Sequence, residues 1–133
     1  EHGLPFDPKL VYICEKVDYD DGRAAAIQLL ADGHKIDGLF AITDMAATGA
    51  LTVFKENGIN VPQDIALMGF SNWFLSQAIT PALSTVDQPG YKMGRKTFKL
   101  LRKEMNAKKQ GIPFTPVTKT LKTKIVERDS TPK

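Results

Sequence analysis

The sequence predicts an α/β domain built on a parallel sheet with helices on both faces. Two observations carry this. Short apolar runs alternate with helical patterns in the order strand, helix, strand, helix, strand, loop, strand, helix, strand. Runs such as Ile65 to Met68 are too short for helices and fit strands covered on both faces. The 133 residues are enough for one domain with a real core.

Leu10 to Cys14 reads as the first strand. Asp20-Asp21-Gly22 supplies acidic residues for a helix start, and Arg23 to Leu30 continues it, with Ala26, Ile27, Leu29 and Leu30 as the packed face. Gly33 ends that helix. Ile36 to Ile42 is a second strand. Thr43 or Asp44 can cap the helix Met45 to Asn57, since either short side chain can accept an orphan backbone N–H. Gly58 and the Val61-Pro62 pair stop it. Ile65 to Phe70 and Leu83 to Val86 are the third and fourth strands. Gly90 to Asn106 is the longest helical pattern, with Met93, Thr97, Leu100, Leu101 and Met105 as its expected buried stripe. Lys109 to Lys119 is a loop, Thr120 to Glu127 an alternating last strand, and Asp129 to Lys133 a tail.

Polar residues gather where the strands end: Thr43 and Asp44, then Ser71 and Asn72, then Asp87 and Gln88. Open parallel sheets bind ligands at those ends. Trp73, Phe74 and Tyr91 stand near enough in sequence to wall such a crevice, and polar groups beside aromatic faces suit a sugar or a nucleobase. Singly, each residue has a plainer reading: Asp44 as a helix cap, Ser71 and Asn72 as turn formers, Trp73 and Phe74 as core.

Signals for catalysis or metal are missing from the sequence. His2 and His34 are isolated, no Cys/His cluster has ligand spacing, and no nucleophile elbow, P-loop or dinucleotide fingerprint occurs. The expectation is a non-enzyme without cofactor or metal. Asp20-Asp21 is explained by the helix dipole, and Arg128-Asp129-Ser130 reads as a local ion pair or turn. Cys14 is alone, which fits a reducing, cytoplasmic setting. No apolar run approaches the ~20 residues of a membrane span, and no signal peptide is visible. The net charge of +3 comes largely from Lys92, Arg95, Lys96, Lys99, Arg102 and Lys103, read as a wet helix face rather than a nucleic-acid groove.

Four motifs resemble the LacI/GalR family of bacterial transcriptional regulators. Asp37 to Ala46 followed by Gly49-Ala50 is similar to its Asn/Ser-Asp-x-x-Ala-x-Gly-Ala pattern. Asn57 to Ile65 is similar to its Gly-x-x-Val-Pro-x-Asp link, and Thr80 to Pro89 to its Pro-x-Leu-Thr-Thr-Val-x-Gln strand. Ile125 to Ser130 resembles its terminal Val-x-Arg-x-Ser.

The resemblance implies a periplasmic-binding-protein-like (type I) fold with Rossmann-like subdomains. Residues 1–89 would be part of the second subdomain. Residues 90–133 would be a crossover helix, loop and final strand of the first subdomain, with a tail. The DNA-binding head would lie outside this chain. It implies a small polar effector held at Thr43, Asp44 and Ser71, with Asn72 beside them; the strand-end pattern adds Gln88 as a ligand residue. Sugar-binding members commonly carry Asp where Ser71 stands. It further implies a homodimer using Ala46, Gly49, Ala50, Val53, Trp73 and Ile79, and DNA bound through that head. A periplasmic sugar-binding protein of a transporter shares the fold and is the alternative, with an enzyme on a doubly wound fold as a third reading.

Overall fold

The computed structural model describes Gly3 and residues 5–132; the isolated His2 and the end of the tail at Lys133 lie outside them. The elements are α1 (Tyr19–Asp32), β1 (Gly38–Phe40), α2 (Asp44–Glu56), β2 (Ala66–Ser71), β3 (Ser84–Asp87), α3 (Gly90–Lys109) and β4 (Lys124–Val126). A 3-10 turn, Phe74–Gln77, lies between β2 and β3. The four strands form one sheet in the order β1-β2-β3-β4. β1 and β2 run parallel, with Leu39 beside Leu67 and Phe40 beside Met68.

Two compact units emerge. One comprises the described residues up to Val86 together with those from Ile125 onward, and the other is Asp87–Lys124. The expected division had kept 90–133 together. Residues from Ile125 group instead with the first unit, because Ser130 is wholly buried there. Its Oγ donates to Leu67 O and accepts from Ser84 N, and its backbone bonds Leu67 and Ala82. Residues 128–131 are thus wedged between β2 and the start of β3, which corrects the expected tail over that stretch.

α2 is the centre of the first unit. Ala50, Val53 and Phe54 pack with Ala26 and Leu29 of α1 and with Ile65. Ala47 and Leu51 pack on Leu67 and Leu83 at the sheet. The two helices touch at glycines: a Cβ on Gly22 would fall on Ala46 O, and one on Gly49 on Tyr19 O. Removing side chains there lets the backbones close up. α1 is capped by Asp18, whose side chain accepts from Asp21 N, and ends at Gly33 with φ 67°.

Two further expectations are corrected. Residues 10–14 form no strand; Pro8–Leu10 is a 3-10 turn and the rest is irregular. A cavity of about 350 Å³ is lined by Tyr12, Ile13 and Cys14 on one side and by Leu39 and Phe40 on another. The stretch therefore lies across a gap from β1, and Ile13 is 93% exposed. In α3 no residue is buried, and Met93, Leu101 and Met105 stand open. The rest of its unit, from Gln110, is irregular up to β4 and presents no element for the stripe to pack on.

Candidate functional site

The turn after β1, the corner that ends β2 and Thr85, the second residue of β3, meet at one carboxylate. Asp44, the first residue of α2, is 1% exposed. Its Oδ1 accepts from Thr85 Oγ1 at 2.6 Å. Its Oδ2 accepts from Trp73 N at 2.6 Å and, at 3.5 Å, from Ser71 Oγ. Gly69 makes this possible: a Cβ there would run into the Asp44 carboxylate and Leu83. Buried charge is tolerated when its lone pairs are filled in this way. Asp44 is therefore enclosed by the chain's own donors rather than presented outward.

Thr43 is the N-cap of α2. Its Oγ1 accepts from Ala46 N at 3.0 Å and donates to Val17 O at 2.9 Å. That second bond ties α2 to a strained loop, since the β-branched Val17 has φ 57°. Asp21 braces the same loop: its Oδ2 accepts from Lys16 N and Val17 N, and these bonds hold its carboxyl below the usual carboxylate range. Burial pushes the nearby Cys14 thiol up, with Asp21 and Asp18 adding to the rise.

Ser71 and Asn72 form a strained corner after β2, with φ 121° and 53°. Ser71 holds such an angle only where surrounding contacts impose it, whereas Asn72 lies in the left-handed region that asparagine tolerates. Here Asn72 N donates to Thr85 Oγ1 at 3.2 Å, and Arg128 Nη2 donates to Asn72 Oδ1 at 2.7 Å. Ser71 itself is exposed. Trp73 is 37% exposed and packs edge-on against Phe74, with ring centroids 5.1 Å apart.

The structure thus brings Thr43, Asp44, Ser71 and Asn72 to one edge of the first unit. Gln88 and Tyr91 belong to the second unit; Gln88 is half-buried, its carbonyl accepting from Gly90 N, and Tyr91 is exposed. The expected dimer stripe divides. Ala46, Gly49, Ala50 and Val53 are buried against α1 or in the core and offer no free face. Ile79 is half-buried against the Leu67 and Leu83 cluster, and Trp73 remains partly open. Sequence reasoning missed Thr85 and Arg128. Arg128 was read as a local turn former, yet its guanidinium bonds Asn72, Ser76 and Leu83 O. Among the described residues no group of three or more His, Cys, Asp or Glu could hold a metal ion.

The family model for the periplasmic binding protein-like domain matches residues 1–131. The chain belongs to that family. HTH-type transcriptional regulator RegA of Clostridium acetobutylicum is 32% identical over 133 residues, which cover 98% of this chain and 37% of RegA. A putative LacI-family regulator from Sanguibacter keddieii superposes with a TM-score of 0.89 at 31% identity, covering 96% of this chain and 46% of that one. The transcriptional regulator CelR in complex with cellobiose superposes at 0.87 with 30% identity, covering 96% of this chain and 38% of CelR. The LacI-type resemblance and the α/β periplasmic-binding-protein-like fold are both borne out. The chain spans under half the length of each of these relatives. No helix among the described residues is long and apolar enough to cross a membrane.

Proposed function

We propose that this periplasmic binding protein-like chain is the effector-sensing part of a LacI-type transcriptional regulator, and that a small polar ligand of the sugar class docks at the strand ends. One observation carries the reading: the exposed Ser71 is held in a strained corner by a fully satisfied buried network around Asp44. Structures keep strain of this kind where a group must be presented. Ser71 is the contact residue, Asn72 its neighbour in the corner, and Trp73 and Phe74 offer apolar faces for sugar C–H groups. Asp44 and Thr43 act from behind as supports. Gln88 is a further candidate contact.

The relatives support a regulator over a transporter's binding protein, because those compared are transcriptional regulators. In the intact regulator, ligand would favour one arrangement of the effector region and so set the spacing of two DNA-binding heads in a cytoplasmic dimer. Of the dimer residues inferred from the family, Trp73 and Ile79 are the ones still open enough to serve.

The experiment is calorimetric titration of this chain with cellobiose, ribose and adenine. Saturable heat with either sugar, lost in Ser71→Leu at unchanged circular dichroism, is the expected result. Heat with adenine alone would move the ligand class to nucleobases. Equal binding by Ser71→Leu would remove the strand ends as the site.

A further inference from the structure

One side chain fastens the strand-end corner to the place where the chain returns to the first unit. The chain leaves that unit after Val86 and comes back at Ile125. Arg128 follows three positions later. Its Nη1 donates to Ser76 Oγ at 3.0 Å and to Leu83 O at 2.6 Å, and its Nη2 to Asn72 Oδ1 at 2.7 Å. These three acceptors belong to the corner after β2, the 3-10 turn and the approach to β3. On the outgoing side, Ser84 Oγ accepts Arg128 N at 2.7 Å and lies 2.7 Å from Thr131 Oγ1. Both connecting segments are therefore stapled together, and the staple reaches the corner through a single guanidinium.

We propose that Arg128 is the positioning residue of this site: its fork holds Asn72 and Ser76 in the arrangement that presents Ser71, and links that arrangement to the two segments that connect the units. The regulatory half rests on the effector reading above. Ser71 has a backbone conformation, φ 121°, that a non-glycine residue leaves unless held, and its neighbour Asn72 takes the left-handed region that asparagine tolerates. Thr85 Oγ1 holds its N–H from one side, and Arg128 holds its side chain from the other. A planar fork can bond three acceptors at once along fixed directions, whereas a lysine ammonium is a point charge on a flexible stem. A shift of either connecting segment therefore pulls on the corner, and a ligand that fixes the corner resists that shift.

Trp73 adjoins the corner and is the sole tryptophan of the chain, so its fluorescence reads this loop alone. The test compares acrylamide quenching of Trp73 in the full chain, in Arg128→Lys and in Asn72→Ala. Each single variant should raise the quenching constant about two-fold and shift emission to the red at unchanged far-ultraviolet circular dichroism, as local opening does. The double variant should add little, because both changes cut the same bond. A lowered unfolding midpoint with unaltered quenching would overturn the proposal and leave Arg128 an ordinary stabilising residue. If Arg128→Lys does not fold, Asn72→Ala decides, and unchanged quenching there overturns it equally.

Cellobiose titration separates the two claims. No heat from the unmodified chain would count against the sugar reading while the quenching result still judges Arg128. Full affinity in a folded Arg128→Lys whose corner has opened would overturn the regulatory half.

Discussion

Thr85 donates its hydroxyl proton to Asp44 Oδ1 over 2.6 Å while accepting the Asn72 N–H at 3.2 Å. One hydroxyl thus relays between the strained corner after β2 and the buried carboxylate that begins α2. The relay has a direction: the carboxylate only accepts, so the proton of Thr85 is committed to it and the lone pairs of Thr85 are left for Asn72.

That direction predicts the cost of Asp44→Asn. The amide keeps the shape but turns one acceptor into a donor. Turned toward Trp73, the amide NH2 would face another donor; turned toward Thr85, it would reverse that bond and displace the hydroxyl proton from its charged acceptor. Losing a hydrogen bond to a buried charged group costs about 1.5–3 kcal/mol. Urea unfolding followed by Trp73 fluorescence should show a midpoint lowered by that amount at unchanged slope. A midpoint equal to the parent's would mean that the network contributes nothing to stability.

The close approach of α1 to α2 makes a second prediction. Gly49→Ala would place a methyl on Tyr19 O, backbone that cannot step aside alone. Forcing the helices apart should cost about 1–3 kcal/mol. Gly94→Ala is the control, since nothing lies within 4 Å of its would-be Cβ. That change in an open helix should stabilise α3 by about 0.5–1 kcal/mol. Thermal melts by circular dichroism should move in opposite directions for the two variants.

Acid should weaken the first unit through Asp21. Its carboxyl lies below its ordinary value of 3.8, first because Lys16 N and then because Val17 N donates to it. A depressed folded value means stability that is fully present above the ordinary one and lost as pH falls through the folded one. Asp32, bonded by Tyr12 and Gln28, and Glu56, bonded by Arg23, act in the same sense. Stability measured by urea should therefore decline below about pH 4, the ordinary carboxylate range. In Asp21→Asn that decline should be shallower; an identical slope would mean that the Lys16 and Val17 bonds survive protonation.

The helices were legible because their signals are local. Thr43, a short hydroxyl before an apolar helical pattern, caps α2, and Gly33 closes α1. The strands at β1 to β3 were found, each shorter or shifted by a residue, since an apolar run marks burial and not the hydrogen-bonded ladder. Leu10 to Cys14 carried the same apolar signal and failed, because a strand needs a neighbour and a gap lies where its neighbour would be. Convergence of Thr43, Asp44, Ser71 and Asn72 was also legible, from the rule that strand ends share an edge. The buried state of Asp44 was not, because it depends on Thr85, 41 positions away. Nor was Arg128, whose partner Asn72 is 56 positions distant. Nothing in a local window records such a meeting.

The contrast between α2 and α3 supplies the last prediction. Both helices show apolar stripes in the sequence, yet α2 packs into two clusters while α3 buries none of its residues. Hydrophobic stabilisation follows area removed from water, not the residue's type. Leu67 is wholly buried beneath Ala47, Leu51 and Leu83, so Leu67→Ala deletes methyls from a filled core. Its cost should be about 2–5 kcal/mol. Met105 is 52% exposed on α3, and Met105→Ser removes little that is sheltered. Its effect on unfolding of the first unit should stay within about 0.5 kcal/mol. Urea unfolding read by Trp73 measures both, since Trp73 lies in that unit. A large loss from Met105→Ser would mean that the α3 stripe is covered in solution by a second copy of the chain, and sedimentation of the unmodified chain would check for that dimer.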